Sequence, residues 1–114
     1  MMKIALSIAL AALTVSIAGA QTITKTGSYF PVAGGQYGLA VNTATSLTVP
    51  PGATEIEICV ETQAIRYRDD GTAPTSSVGI PIPVGTCFPY AGNLSAIQFI
   101  AQTAGATIDV AYYK

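Results

Sequence analysis

The chain contains no histidine. Histidine is the commonest general base, the usual partner of a nucleophilic serine or cysteine, and a frequent ligand of transition metals. Its absence therefore excludes most of the side-chain arrangements on which hydrolases depend. The spacing of the two cysteines, Cys59 and Cys87, matches no zinc-binding motif either. The sequence accordingly predicts a protein that is not an enzyme and that holds no metal or other cofactor.

Charged residues are scarce. They make up 10% of the 114 residues, whereas 50% are hydrophobic. From residue 21 onward, four basic and six acidic side chains give a net charge of −2. Such a chain is neither a disordered acidic tail nor a protein with the clustered lysine and arginine that phosphate binding requires. We therefore expect a folded domain with a mostly uncharged polar surface and no nucleic-acid partner.

A long apolar run occurs at the N-terminus. Lys3 precedes an uncharged apolar stretch that ends in small residues, which are the three parts of a secretory signal peptide. Cleavage between Ala20 and Gln21 would leave residues 21–114 as one exported domain, periplasmic or extracellular. An uncut membrane anchor over residues 1–20 is one alternative, because a spanning helix needs ~20 residues. An ordinary buried segment is another, and a membrane contact is expected only if the leader is uncut.

Two cysteines lie beyond the leader. An even number of cysteines in an exported chain favours pairing, so Cys59 and Cys87 are candidates for a disulfide. A disulfide across a loop of this length would contribute on the order of 3 kcal/mol. The alternative is a pair of buried thiols that pack as small hydrophobic side chains.

Strict alternation marks the clearest predicted strand. After Thr54, every second position up to residue 61 is isoleucine or valine, and the positions between them are glutamate or cysteine. The alternation then changes phase, because Ile65 and Tyr67 are the next inward positions and both are odd-numbered. A slip of one residue predicts a bulge or a tight bend around residues 62–64.

Shorter β-prone runs precede that strand. Residues 21–30 are rich in threonine and aromatic residues and predict a first strand, which Pro31 and the glycine pair after it would end. Residues 37–41 and 46–49 predict two strands joined by a short polar turn.

Further strands follow it. Residues 78–84 alternate proline with isoleucine and valine, which predicts an edge strand or extended arm returning beside residues 65–68, because proline cannot donate to a central ladder. Residues 94–101 and 106–113 predict a closing hairpin with Ile108, Val110 and Tyr112 facing the core. The whole pattern predicts an all-β, single-domain β-sandwich of about 7–8 short antiparallel strands, jelly-roll-like or immunoglobulin-like.

Other residue groups offer limited chemistry. Paired carboxylates can hydrolyse glycosides across a cleft, but the pair Glu55/Glu57 shares one strand face and the pair Asp69/Asp70 lies in a turn. A small secreted enzyme or inhibitor would need a deep pocket gathering Glu57, Glu61 and Asp109. Asp69 and Asp70 could offer oxygen ligands to calcium, although the spaced ligands of a full calcium loop are absent. Aromatic residues could instead line a carbohydrate-binding surface or pack in the core. They are Tyr29, Phe30, Tyr37, Tyr67, Phe88, Tyr90, Tyr112 and Tyr113.

The densest charge cluster is Arg66, Arg68, Asp69 and Asp70. The Asp-Asp-Gly sequence that ends it is a strong turn signal. A bidentate arginine–aspartate pair could lock this loop to a neighbouring strand or to a neighbouring subunit. Clamping within the chain is the simpler of the two interpretations.

The segment around that cluster carries an R-Y-R-D-D-G-T-x-P-T strand and loop within residues 64–75, followed by a glycine and an apolar pair at Val78-Gly79-Ile80. Three further segments belong to the same pattern: VPPGAT at residues 49–54, LSAIQFI at residues 94–100, and ATIDVAYYK at residues 106–114. Together these segments resemble small virion-associated structural proteins of tailed bacteriophages.

The resemblance implies a compact β-sandwich that assembles on a larger particle in a head-decoration or tail-associated role, without catalytic or cofactor residues. Its partners would be other virion or envelope proteins, or further copies of itself. Replacing Arg66 and Arg68 by alanine should then weaken attachment and leave the fold intact. The leader and the cysteine pair depart from the family's usual pattern. They favour an exported binding module: an adhesin, a carbohydrate-binding domain or a superinfection-exclusion factor.

Overall fold

The computed structural model describes residues 29–114, which form eight strands. The predicted cleavage point between Ala20 and Gln21 lies outside these residues, as do the anchor alternative and most of the strand predicted over residues 21–30. Within the described range, no helix is long and apolar enough to cross a membrane. The strands are β1 (Pro31–Ala40), β2 (Thr45–Ser46), β3 (Glu55–Glu61), β4 (Ile65–Arg68), β5 (Ile80–Ile82), β6 (Cys87–Tyr90), β7 (Gln98–Ala101) and β8 (Thr107–Tyr113).

The strands form two antiparallel sheets of four. Sheet A has the order β1-β8-β3-β6 and sheet B has the order β2-β7-β4-β5. Strands pair from the two ends of the chain inward: β1 with β8, β2 with β7, β3 with β6, and β4 with β5. The chain is thus one long antiparallel hairpin folded over on itself, which is the arrangement of a jelly roll. The predicted β-sandwich is confirmed, and the jelly roll is the topology adopted.

The core lies between the two sheets. β3 and β8 pair over seven residues at the centre of sheet A, and alternate residues of each strand are buried, so the predicted inward faces of both strands are confirmed. Burial of such a side chain is worth roughly 1.5–3 kcal/mol relative to exposure. The buried hydrophobic residues are Val41, Ile56, Ile58, Val60, Ile65, Leu94, Ile97, Phe99, Ala101, Ala106, Ile108, Val110 and Tyr112.

The phase change after residue 61 is the point where the chain leaves sheet A for sheet B. Thr62 has a φ of 68°, in the left-handed region, and its hydroxyl donates a hydrogen bond to the carbonyl oxygen of Gly105 (2.5 Å). Ile65 then enters the same core from the opposite sheet. The predicted bend is therefore confirmed and the bulge alternative is wrong, because the inward parity changes when the strand changes sheets.

The predicted closing hairpin is wrong. β7 belongs to sheet B and β8 to sheet A, so the turn between them is a corner that crosses the sandwich. Backbone hydrogen bonds of Val41 hold the corner, with Ala101 N donating to Val41 O (2.7 Å) and Val41 N donating to Ala106 O (3.3 Å). The pair predicted over residues 37–41 and 46–49 is likewise split between sheets, because β2 pairs with β7. A turn signal does not distinguish a hairpin from a corner.

β1 begins where the sequence predicted a strand to end. It contains Pro31 and the glycine pair Gly34 and Gly35. These residues are tolerated because β1 is an edge strand, where a missing N–H leaves no ladder bond unmade, and because its register with β8 shifts at two irregularities. Gly34 has a φ of 114°, which favours glycine at this irregular position.

β5 and β6 are two further edge strands. β5, with Pro81 at its centre, is the edge of sheet B, which confirms the prediction for residues 78–84. β6 was not predicted, because it has four residues and includes Pro89. It is the edge of sheet A beside β3. There Cys59 and Cys87 are directly opposite each other and form a disulfide, so the pairing prediction is confirmed and the buried-thiol alternative is wrong.

Candidate interaction surface

The four charged residues singled out in the sequence lie at the tip of the folded hairpin. Arg66 and Arg68 are on β4, and Asp69 and Asp70 open the loop of residues 69–79 that leads to β5. We call this loop the tip loop. Because β4 and β5 are the innermost pair of the hairpin, the tip loop is the point at which the chain reverses.

Arg66 hydrogen-bonds the C-terminal part of the tip loop. Its Nε donates a hydrogen bond to the carbonyl oxygen of Ser76 (3.0 Å), and its Nη1 donates to the carbonyl oxygen of Gly79 (2.9 Å). These bonds fix the far end of the loop against the strand from which it started. The structure therefore assigns the two arginines different roles. Arg66 hydrogen-bonds the loop within the chain, so we expect its replacement by alanine to loosen the loop.

Arg68 pairs with Asp70 in a bidentate arrangement. Its Nε lies 3.1 Å from Asp70 Oδ1, and its Nη2 lies 2.5 Å from Asp70 Oδ2. Asp70 also accepts a hydrogen bond from the backbone N–H of Thr72 (3.2 Å). The Arg68 guanidinium, assisted by the Thr72 N–H, lowers the pKa of Asp70, and Asp70 raises the pKa of Arg68. The pair stays charged and exposed at the surface.

Asp69 connects the tip loop to the other sheet. The Tyr90 hydroxyl, on β6 of sheet A, donates a hydrogen bond to Asp69 Oδ2 (2.7 Å). Burial of the Tyr90 hydroxyl, together with that bond, raises the pKa of Tyr90 to about 12, so this hydroxyl remains a donor at neutral pH. Next to Tyr90, the ring of Tyr67 packs against two rings of the opposite sheet. The distance between ring centroids is 5.9 Å to Phe88 and 6.5 Å to Tyr90.

The loop has further support of its own. Thr75 and Val78 exchange backbone hydrogen bonds, and the Thr75 hydroxyl oxygen accepts from the N–H groups of Ser77 (3.3 Å) and Val78 (3.0 Å). Gly79 has a φ of 137°, and a Cβ there would lie 3.0 Å from the carbonyl oxygen of Tyr67. Glycine is therefore required where the loop closes against β4. The tip loop is braced along its whole length.

A surface depression of about 370 Å³ lies between the two ends of the tip loop. We call its lining the tip surface. Val78 and Ile80 form its apolar part, with 49% and 53% of their surface exposed, and Val84 continues the apolar edge beyond β5 with 54% exposed. The tip surface consists of Arg68, Asp69, Asp70, Val78, Gly79 and Ile80. It combines apolar side chains with charges of both signs on a braced frame.

The other carboxylates lie elsewhere. Glu57, Glu61 and Asp109 belong to the outward face of sheet A, and none of them lines the depression at the tip. A hydrogen bond with Asp109 raises the pKa of Glu61, while Asp109 Oδ1 accepts from the backbone N–H of Gly38 (2.7 Å). The depression at the tip therefore does not gather the three acids that a catalytic pocket was expected to bring together.

The calcium hypothesis for the tip loop also finds no support. The carboxylates of Asp69 and Asp70 accept hydrogen bonds from Tyr90, Arg68 and Thr72. Among residues 29–114, no group of three or more acidic or cysteine side chains is arranged to hold a metal ion.

The eight aromatic residues considered for a carbohydrate-binding surface do not lie on one surface. Tyr112 is buried and donates a hydrogen bond to Gln36 Oε1 (2.5 Å), and its burial raises its pKa to about 12. Tyr67, Phe88 and Tyr90 pack between the sheets, as described above. Tyr29 contacts Tyr113 edge-on at 5.8 Å, whereas Phe30 and Tyr37 are largely exposed. Core and edge packing accounts for most of these side chains.

Comparison with known proteins identifies no relative: no family model, no curated protein and no solved structure matches the chain. Within the tip surface the sequence identified the charges but not their apolar neighbours Val78 and Ile80. The signal was present in the run V-G-I-P-I-P-V at residues 78–84, where apolar side chains alternate with prolines that indicate an edge strand. Tyr90 was among the aromatic candidates, but nothing in the sequence indicated its hydrogen bond to Asp69.

Proposed function

We propose that this protein is a non-enzymatic structural subunit of a bacteriophage virion that contacts neighbouring subunits through the tip surface. The observation that carries the proposal is the exposure of Val78 and Ile80 beside the Arg68–Asp70 ion pair on a braced loop. Exposed apolar side chains with polar neighbours mark protein contact sites. Since the loop is already ordered, little conformational entropy would be lost on contact.

The fold is compatible with this role. Jelly rolls are used by viral capsid domains and also by lectins and cupins. A fold by itself does not determine function, so this support is an analogy. The choice of a virion as the particle rests on the resemblance of residues 64–75 and the three matching segments to virion-associated proteins of tailed phages.

The proposal is tested on particles. Virions purified by density gradient from the strain that encodes this chain should contain its peptides at a fixed ratio to the major capsid protein, measured by quantitative mass spectrometry. Val78→Asp places a charge in the apolar part of the tip surface and should strongly reduce that ratio, because an unpaired charge would be buried at the contact. Tyr37→Asp, on the opposite edge of the fold, is the matched control and should be incorporated normally.

Two results would overturn the proposal. One is the absence of the protein from purified particles of the unmodified strain. The other is equal incorporation of the Val78→Asp and wild-type proteins when both are folded by circular dichroism.

The second candidate is an exported binding module, and the disulfide between Cys59 and Cys87 is the observation that favours it. Disulfides persist in oxidising compartments outside the cytoplasm. On this reading the protein would be recovered from the periplasm or medium and never from particles. N-terminal sequencing of the recovered chain would also show whether it begins at Gln21, and a glycan array would test for a carbohydrate ligand.

A further inference from the structure

The disulfide between Cys59 and Cys87 lies on the outward face of sheet A. Cys87 is exposed on the edge strand β6, whereas Cys59 is half-buried on β3. We infer that this disulfide is a redox-modification site opened by attack on Cys87, and that the carboxylates around Cys59 select against negatively charged thiols such as glutathione. Neither cysteine lines the tip surface, so the reactivity of this site is independent of the proposed function.

The exchange takes place in two balanced steps. In the first, an external thiolate bonds to Sγ of Cys87, the Sγ–Sγ bond breaks, and its electron pair leaves on Sγ of Cys59, which then takes a proton from water. In the second, another external thiolate attacks the external sulfur of the mixed disulfide, and Cys87 leaves as a thiolate that is protonated in turn. Two external thiols are thus oxidised to their own disulfide, and the protein disulfide is reduced to two thiols. Negative charge therefore approaches Cys87 and builds up on Cys59.

Three carboxylates lie around Cys59, in positions that the strand register fixes. Glu57 and Glu61 are two residues away on either side along β3, a spacing of about 7 Å on the same face. Asp109 on β8 is directly opposite Cys59, in a position where Cβ atoms lie roughly 5 Å apart. Cys87 is opposite Cys59 on the other side. Cys59 thus has an acidic neighbour on three sides and its disulfide partner on the fourth.

No cationic side chain within sheet A offsets these charges. Its four strands, as the structure describes them, carry four carboxylates and no lysine or arginine. The cations of the described residues are Arg66 and Arg68 on sheet B and Lys114, which follows the β8 residue opposite Glu55. Glu55 is at the end of β3 farthest from Cys59. The local field therefore opposes an anionic thiolate and favours a thiol that carries a positive group.

This selectivity bears on how long the disulfide persists. Glutathione has a net negative charge, so its exchange with the disulfide would be slow compared with that of a neutral or cationic thiol. Glutathione is among the agents that keep thiols reduced in the cytosol. Slow exchange with it would let the disulfide outlast exposure to a reducing compartment.

The test compares three small thiols on the purified full chain. They are 2-mercaptoethanesulfonate, which is anionic, 2-mercaptoethanol, which is neutral, and 2-aminoethanethiol, which is cationic. Loss of the disulfide is followed at pH 8 and low ionic strength by alkylation and mass spectrometry of the intact chain. Each rate constant is expressed per thiolate and divided by that of the same thiol with bis(2-hydroxyethyl) disulfide, which removes the thiol's own reactivity.

The normalised rate constants should follow the charge of the thiol. The cationic thiol should react at least about tenfold faster than the anionic one, with the neutral thiol between them. In 1 M salt, where the Debye length is ~3 Å, this ratio should shrink to less than about threefold.

Charge-neutralising variants locate the effect. The Glu57→Gln/Glu61→Gln/Asp109→Asn variant should lower the cationic-to-anionic ratio to less than about threefold in low salt. Its Asp109→Asn change retains an oxygen that can accept the hydrogen bond from the Gly38 N–H. Glu55→Gln is the matched control for Glu57→Gln, because it removes the same charge from the same strand face two residues farther from the disulfide. Glu55→Gln should lower the ratio less than Glu57→Gln does, and circular dichroism verifies that each variant is folded.

Four results would overturn the inference. The first is equal normalised rate constants for the three thiols in low salt, and the second is an unchanged ratio in the folded triple variant. The third is a Glu55→Gln effect as large as that of Glu57→Gln, which would assign the selectivity to the overall charge of the protein. The fourth is a disulfide that resists all three thiols until the chain is unfolded, which would show that neither sulfur is accessible.

Discussion

The two sheets of the sandwich differ in how they are held together. Sheet A has two central strands of seven residues that pair without interruption, and a disulfide fastens its edge strand. Sheet B is built from strands of two to four residues. Its edge strand β5 pairs with β4 over three residues, and Arg66 on β4 hydrogen-bonds the tip loop that joins them. Sheet A thus supplies most of the regular pairing, whereas sheet B presents the tip loop.

The strongest test of this contrast replaces one core isoleucine in each sheet. Ile58 is fully buried at the centre of sheet A, whereas Ile82 is half-buried at the edge of sheet B. Ile58→Ala should lower the free energy of unfolding by about 4 kcal/mol, and Ile82→Ala by less than half as much, because the edge site is already partly hydrated. Urea denaturation followed by circular dichroism measures both. Equal losses would contradict the contrast.

Removal of the disulfide should have the next largest effect. The loop closed by Cys59 and Cys87 contains β4, β5 and the whole tip loop, so the bond in sheet A also restrains sheet B. The Cys59→Ser/Cys87→Ser variant should lose about 3 kcal/mol of stability in urea denaturation. Addition of a reductant should destabilise the wild type by the same amount and leave the double variant unchanged. A double variant as stable as the wild type would show that strand pairing alone holds β6.

Loss of the two hydrogen bonds made by Arg66 should destabilise only sheet B and the tip loop. Arg66→Ala removes two hydrogen bonds to loop carbonyls and should cost about 1–2 kcal/mol. Hydrogen exchange should accelerate at residues 75–79 and stay unchanged in β3 and β8. Arg66→Lys should give a smaller loss, because a single ammonium group does not reproduce the guanidinium fork. Faster exchange throughout sheet A would mean that the two sheets open as one unit.

The smallest expected effect is on the outward face of sheet A. The hydrogen bond to Asp109 raises the pKa of Glu61, so the folded state binds this proton more tightly than the unfolded state. The resulting stabilisation is complete below the ordinary pKa of 4.5 and is lost as the pH rises through the higher folded value. The Glu61→Gln variant, which cannot titrate at this position, should therefore lose less stability than the wild type as the pH rises from mildly acidic to neutral. A pH profile of the urea midpoint that is unchanged in this variant would contradict the assignment.

Local patterns were most informative where one face of a strand is buried. The alternation over residues 54–61 predicted which side chains of β3 face the core, since the strand period of two leaves a single inward face. The prolines of residues 78–84 predicted an edge strand, because a missing N–H has the same consequence in any sheet. The charge cluster around Arg68 was likewise visible, because its residues are adjacent in sequence.

Other features depended on contacts between distant segments. The turn between β7 and β8 reads equally well as a hairpin or as a corner, and only the pairing of Val41 with both sides of it selects the corner. Tyr90 reaches Asp69 across 21 residues and from the opposite sheet. Interactions of this kind leave no periodic signal in the sequence.

The sequence by itself determined an all-β sandwich with a cysteine pair, an edge strand rich in proline and a charged turn, because composition and alternation act through neighbouring residues. Tertiary structure decided that the strands pair as a jelly roll and that the charged turn is its tip. It also decided that Arg66 clamps the tip loop while Arg68 lies beside exposed Val78 and Ile80. Those outcomes depend on which strands bury their faces against each other, and that choice is made by long-range packing of the whole core.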